Sequence, residues 1–343
     1  MRRQPDYSFK NGLVIDVNTF HTDNSAGKRE LIVSPDELRK TPKSGDNKKR
    51  DAVVHEKMIN PTLVKGIGGV ALETVVIGPE DADAVNFVFY GWGGNTRHPV
   101  AIDEAQALVA SDPEANWVFM NTFGTGKSSL LPKNAANDVR KHGNYNGMGS
   151  YVAAVANRIA EGRSVSLMGH SLGARTAVGA VPHMEINPEA LILNDPTGTL
   201  RMSLAEIAVR FGVIEGGHIG KYMSGGFDPE AADLQKHGKI QKELLEGRTK
   251  GGWKQQFLID PSGLSKPGFG EDFMRAVPFV ENEIRIISPE LSALNSPETI
   301  YKIMALARGE NQQALMGQWV LRDHTHSVVT IPQVLARLYG QLA

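Results

Sequence analysis

The sequence predicts an α/β protein: a mostly parallel sheet with helices on both faces, carrying a helical cap. Three observations point there. From about residue 69, short apolar runs alternate with connections of helix length, the pattern of strands joined by crossover helices. The alternation stops between Thr199 and Asn282, which offers helical pieces and glycine-rich turns. It then resumes to the C-terminus.

Taken in order, Gly12–Val17 and Glu30–Val33 alternate apolar and polar residues and read as strands. Ser34–Arg50 is polar, ends in a basic run and reads as a solvated loop. Residues 1–70 are thus an N-terminal extension or edge strands. Val70–Ile77 and Ala84–Tyr90 read as strands. Ala101–Ala110 reads as a helix, with Ile102, Ala105, Leu108 and Val109 on one face. Strand Trp117–Met120, helix Ser150–Ile159, strand Ser164–Met168, helix Ala174–Val181 and strand Ala190–Leu193 follow. After the break come strands Glu283–Ile287 and Gln318–Leu321, with helices near 297–308 and 332–342. The expected division is a core of residues 71–199 and 283–343 with a cap insertion at 200–282. In such sheets the reactive residues lie in loops beyond the carboxyl ends of the strands. The cap's own expected helices are Ser203–Phe211 and Pro229–Leu245.

Composition narrows the function classes. The 343 residues are 41% hydrophobic and 22% charged, with a formal net charge of -1, so no global charge favours nucleic acid or an anionic membrane. There is no cysteine, which removes thiol nucleophiles, disulfides and Cys-ligated metals. MRRQPDYSFKNGLVIDV has two arginines but no signal-length apolar core behind them. No stretch approaches the roughly 18 apolar residues of a spanning helix. The expectation is a soluble cytoplasmic protein without stable membrane insertion; its oligomeric state has no signature in the sequence.

The chemistry concentrates in Gly169-His170-Ser171-Leu172-Gly173, a G-x-S-x-G sequence preceded by an apolar strand and followed by the small, helix-compatible run Ala174–Ala180. That setting allows a sharp strand-to-helix turn presenting Ser171 as a nucleophile. A serine needs a base, and the base an orienting group. Arg322-Asp323-His324-Thr325-His326-Ser327 follows the last strand; His326 is preferred as the base and His324 is its alternative. Asp195, in the turn after strand Ala190–Leu193, is preferred as the acid. Glu290, after Glu283–Ile287, competes with it, and Asp323 reads as a loop residue beside the histidines. Acyl transfer also needs oxyanion donors. The Leu172 amide at a helix start is one, and the Trp92 amide in Tyr90-Gly91-Trp92-Gly93-Gly94-Asn95 is the other.

Over residues 84–200 and 283–343 these features together resemble the α/β-hydrolase superfamily. Gly169–Gly173 looks like its nucleophile elbow, and Tyr90–Gly94 like its oxyanion loop with Tyr90 in place of the usual histidine. Asn121–Ser129 is similar to its G-x-G-x-S turn. Gly169–Ala174 and Asn194-Asp195-Pro196 resemble the serine and acid segments of the lipase branch. The resemblance implies a serine hydrolase cleaving a carboxylic ester or related acyl bond of a small-molecule or lipid-like substrate, with no cofactor and no metal. Acyltransferase or thioesterase chemistry on the same triad, and a non-catalytic binding protein of this fold, are the alternatives. Gly124-Thr125-Gly126-Lys127-Ser128 is not a phosphate-binding loop, because residue 121 is asparagine where that spacing needs glycine. In the cap, Leu244, Leu245, Trp253, Phe257, Leu258, Phe269 and Phe273 could form an apolar acyl wall or the cap's own small core.

Overall fold

A computed structural model describes residues 13–20, 26–41, 47–215, 252–326 and 332–339. Ten strands form one sheet. In chain order they are β1 (Leu13–Phe20), β2 (Ala26–Val33), β3 (Thr62–Lys65), β4 (Ala71–Ile77) and β5 (Ala84–Phe89). Then come β6 (Asn116–Met120), β7 (Ser164–His170), β8 (Ala190–Asn194), β9 (Glu283–Pro289) and β10 (Leu315–Leu321). Their spatial order is β2-β1-β10-β9-β8-β7-β5-β6-β4-β3. The six strands from β10 to β6 are mutually parallel. The strands outside them run antiparallel to their neighbours: β4 to β6, β3 to β4, β1 to β10 and β2 to β1.

The parallel strands are apolar throughout because both faces are covered. Side chains alternate between faces, so one run feeds two cores. Phe87, Leu167, Leu191, Leu193 and Ile286 face the helices α5 (Asn146–Ala160) and α6 (Leu172–Ala180), while Val88, Met168, Ile192 and Ile287 join the second core. That second core includes Ala105 and Leu108 of α3 (Pro99–Ser111), Val54 and Met58 of α2 (Lys48–Ile59), and the last helix, Pro332–Tyr339.

Segment Ser34–Arg50 is not a plain loop. Pro35–Lys40 is helical (α1), and Lys48 opens α2, whose N-cap Asn47 accepts a bond from the Arg50 amide at 3.1 Å. Only Val54 and Met58, one turn apart, give α2 a buried apolar side, too little periodicity to overrule its basic first turn. Two further elements lack a strong apolar signal. β3 is largely exposed at the sheet edge, and α4 (Lys133–His142) buries only Ala135 and Val139.

Within 200–282 the described residues contain a helix at Leu204–Ile207 continuing as π-helix through Ala208–Glu215, and helical turns from Gly252 to Leu264 followed by Phe269–Ala276. The expected helix Pro229–Leu245 lies outside the described residues, as do Leu244 and Leu245. Phe269 and Phe273 are stacked in the core at 5.5 Å between ring centroids. Trp253, Phe257 and Leu258 are about half exposed, so the described members of that set do not all join one core. Among the described residues no helix is long and apolar enough to cross a membrane.

The chain passes from β5 to β6 on one side and then to β7 on the other. Such a reversal, at the carboxyl ends of β5 and β7, is where open α/β sheets bind ligands.

Candidate active site

Ser171 stands between the end of β7 and the first residue of α6, with φ 57° and ψ −116°. A non-glycine residue in that region is strained, and the surroundings leave the turn no room to relax. A Cβ on Gly173 would lie 2.0 Å from the Phe89 carbonyl oxygen, and one on Gly169 2.5 Å from that of Gly173. Both glycines are therefore required by close backbone approach. The Ser171 amide donates to the Asn194 carbonyl at 2.9 Å, tying the elbow to β8. Because α6 begins at Leu172, the amides of its first turn have no intrahelical acceptor and its dipole is positive at that end.

Asp195 is fully buried at the end of β8, with φ 40°, and its amide donates to the Ile287 carbonyl at 2.7 Å. Its Oδ2 lies 2.6 Å from Nδ1 of His326. The other candidates lie elsewhere. Glu290 Oε2 accepts the Asp323 amide at 2.9 Å, bracing the loop that carries the histidines. The His324 Nδ1 is bonded to the Arg322 carbonyl, and its own carbonyl accepts the Leu291 amide at 2.7 Å.

The His326 ring packs on that of His170, the residue before Ser171, at 4.7 Å between centroids, which sets it over the elbow. Ser171 and His326 are both buried, and among the described residues neither Ser171 Oγ nor His326 Nε2 has a hydrogen-bond partner. Burial disfavours the imidazolium of His326, but the hydrogen bond and charge of Asp195, aided by the charge of Glu215, outweigh it and hold the group above the ordinary histidine value. His170 moves oppositely: burial first, then the neighbouring His326, drive it well below that value, so His170 is neutral.

The loop after β5 closes the other side. A Cβ on Gly91 would sit 3.2 Å from the Ser171 Cβ, so this backbone abuts Ser171. Gly94 donates to the Gly91 carbonyl at 2.9 Å, a tight turn with Gly93 at φ 74°. The Trp92 indole donates to the Gln256 carbonyl at 2.8 Å, and its ring meets Phe211 at 5.0 Å. Phe211 in turn meets His326 edge-on at 6.0 Å.

Beneath this loop, Arg97 grips the buried carboxylate of Glu73 with two bonds of 2.7 and 2.8 Å. Asn121 adds a third at 2.9 Å and accepts the Thr96 amide through its Oδ1 at 2.7 Å. The Gly124–Ser128 turn wraps this carboxylate; a Cβ on Gly126 would fall 1.9 Å from Glu73 Oε2. The anion held by this glycine turn is the protein's own.

Sequence reading did not single out His170, Phe211, Glu215 and Ser292 as site residues. The Ser292 hydroxyl donates to Asp195 Oδ2 at 2.5 Å. His170 fills a variable position of the Gly169–Gly173 motif, its place beside Ser171 being its one local signal; the other three belong to no motif and reach the site through tertiary packing. Among the described residues no three His, Asp or Glu side chains gather as a metal site would require.

No family model and no curated protein matches the sequence. Solved structures do. An esterase from Exiguobacterium antarcticum superposes with a TM-score of 0.54 at 16% identity, covering 82% of this chain and 99% of its own. The fold is that of the α/β-hydrolases. A bromoperoxidase from Bacillus anthracis (TM-score 0.52, 15% identity, 82% and 98% covered) and an E-2-(acetamidomethylene)succinate hydrolase (0.52, 17%, 82% and 97%) share this α/β-hydrolase fold. Their differing names show that such a fold does not by itself assign a reaction.

Proposed function

We propose that this α/β-hydrolase-fold protein is a serine hydrolase that cleaves a carboxylic ester, or a related acyl bond, of a small molecule. The observation that carries the reading is the buried Asp195–His326 pair at 2.6 Å, packed on His170 beside the strained Ser171. Esterases and a hydrolase among the structural neighbours favour the same class.

The chemistry follows from these positions. Asp195 fixes the His326 tautomer with Nδ1 protonated, leaving Nε2 to take the Ser171 proton. Oγ then attacks the substrate carbonyl carbon. The resulting oxyanion is bound by the backbone amides of Leu172 and Trp92. His326 returns its proton to the departing alcohol, leaving an acyl-serine. A water deprotonated by His326 releases the acid and regenerates Ser171. The aromatic pair Trp92 and Phe211 beside the base favours an apolar group on the substrate.

A series of nitrophenyl esters of increasing acyl length, with wild type beside Ser171→Ala, tests this. Turnover by the wild type and a loss of roughly a thousandfold or more in the variant, at unchanged melting temperature, is expected. Equal rates in both proteins would refute the assignment.

A further inference from the structure

Loop 290–295, directly after β9, touches both the acid and the cap. Its Ser292 hydroxyl donates to the same Asp195 oxygen that holds His326. Its next residue, Ala293, is clamped from the cap helix at both backbone atoms. The Arg210 guanidinium donates to the Ala293 carbonyl at 2.8 Å, and Glu215 Oε1 accepts the Ala293 amide at 3.0 Å. Glu215 is fully buried, and Phe211, between these two clamps in sequence, packs on the His326 ring.

Among the described residues the groups facing His326 are few. Asp195 comes from the β8 loop, the neutral His170 from the elbow, and Phe211 and the charge of Glu215 from the cap. The base thus experiences two carboxylates, one from the core and one from the cap.

We propose that Glu215 is a positioning residue for the base: seated on Ala293, it adds a second negative charge beside His326 and holds Ser292 against Asp195. With Glu215 in place, His326 is a stronger base than Asp195 alone would make it. The inference rests on the reading of Ser171 and His326 as nucleophile and base.

The test is a carbon-13 histidine NMR titration of the full-length protein, wild type beside Glu215→Gln. Glutamine keeps an oxygen for the Ala293 amide and removes only the charge. The midpoint of His326 is expected to fall by roughly half a unit or more, with melting temperature retained. An unmoved midpoint in the folded variant overturns the inference. Should Glu215→Gln fail to fold, Ser292→Ala carries the test through the rate of fluorophosphonate labelling of Ser171. A loss of about tenfold is expected from removing a bond to a charged acceptor, and a rate within twofold of wild type overturns it. The two readings fail separately: an unlabelled wild type removes the nucleophile assignment, whereas the His326 midpoints still decide the role of Glu215.

Discussion

Asp195 and Glu290 are both carboxylates in loops at the same end of the sheet, and only contact geometry separates them. Asp195 meets His326 at 2.6 Å, while Glu290 meets a backbone amide. Asp195→Asn is therefore expected to cut kcat by about four orders of magnitude, since an amide fails to hold the tautomer, and Glu290→Gln by less than tenfold. Steady-state kinetics on a responsive ester checks both. The base must be neutral to accept a proton, so activity falls as pH drops through the His326 pKa. That pKa is raised, which places the acid limb of kcat/KM above the ordinary histidine value; a limb below it would contradict the assignment. At this scale the sequence was informative where residues lie in one loop, as in Gly169–Gly173. It was silent where partners come from distant segments. Ser292 is 97 positions from Asp195, and neither it nor Glu215 sits in a local pattern.

The elbow is an element-scale object, because β7, α6 and the end of β5 approach so closely that side chains are excluded. Gly173→Ala would thrust a Cβ to 2.0 Å from the Phe89 carbonyl. A loss of about 3 kcal/mol or more is expected, as for overpacking in a rigid site, with loss of activity; urea denaturation measures the first. α5 and α6 meet by the same device, since a Cβ on Gly149 would reach within 1.9 Å of the Gly179 carbonyl oxygen. Elements with continuous apolar runs or a clear helical face (β5 to β10, α3, α5 and α6) were legible for that reason. α4 was not, since KNAANDVRKH buries two side chains only. The π-helical turns at Ala208–Glu215 and Gln255–Ile259 depart from the period on which such reading depends.

Across the whole molecule, the alternation of strands with helices predicted a mostly parallel sheet but not the order of its strands. The pairing of β1 with β10, some 300 positions apart in sequence, had no local signal. Global stability also carries a term no sequence pattern announces. Glu104 of α3 is buried, and burial raises its pKa to about 8. The folded state therefore keeps this proton while the unfolded chain releases it above the ordinary carboxylate value. Between that value and about 8, the folded state loses ground by roughly 1.4 kcal/mol per pH unit; below the window the term vanishes. Glu104→Gln removes the ionisation. Its stability relative to wild type is expected to rise between pH 5 and pH 8 in paired denaturation curves, and a constant difference would show that Glu104 does not titrate in this window.

The central claim is that Ser171 is an activated nucleophile, and fluorophosphonate labelling of the purified protein with peptide mapping by mass spectrometry tests it most directly. One phosphonyl group per chain is expected, on Ser171, abolished by Ser171→Ala and slowed by Asp195→Asn. A folded wild type that stays unlabelled, or carries the label on another residue, would contradict it.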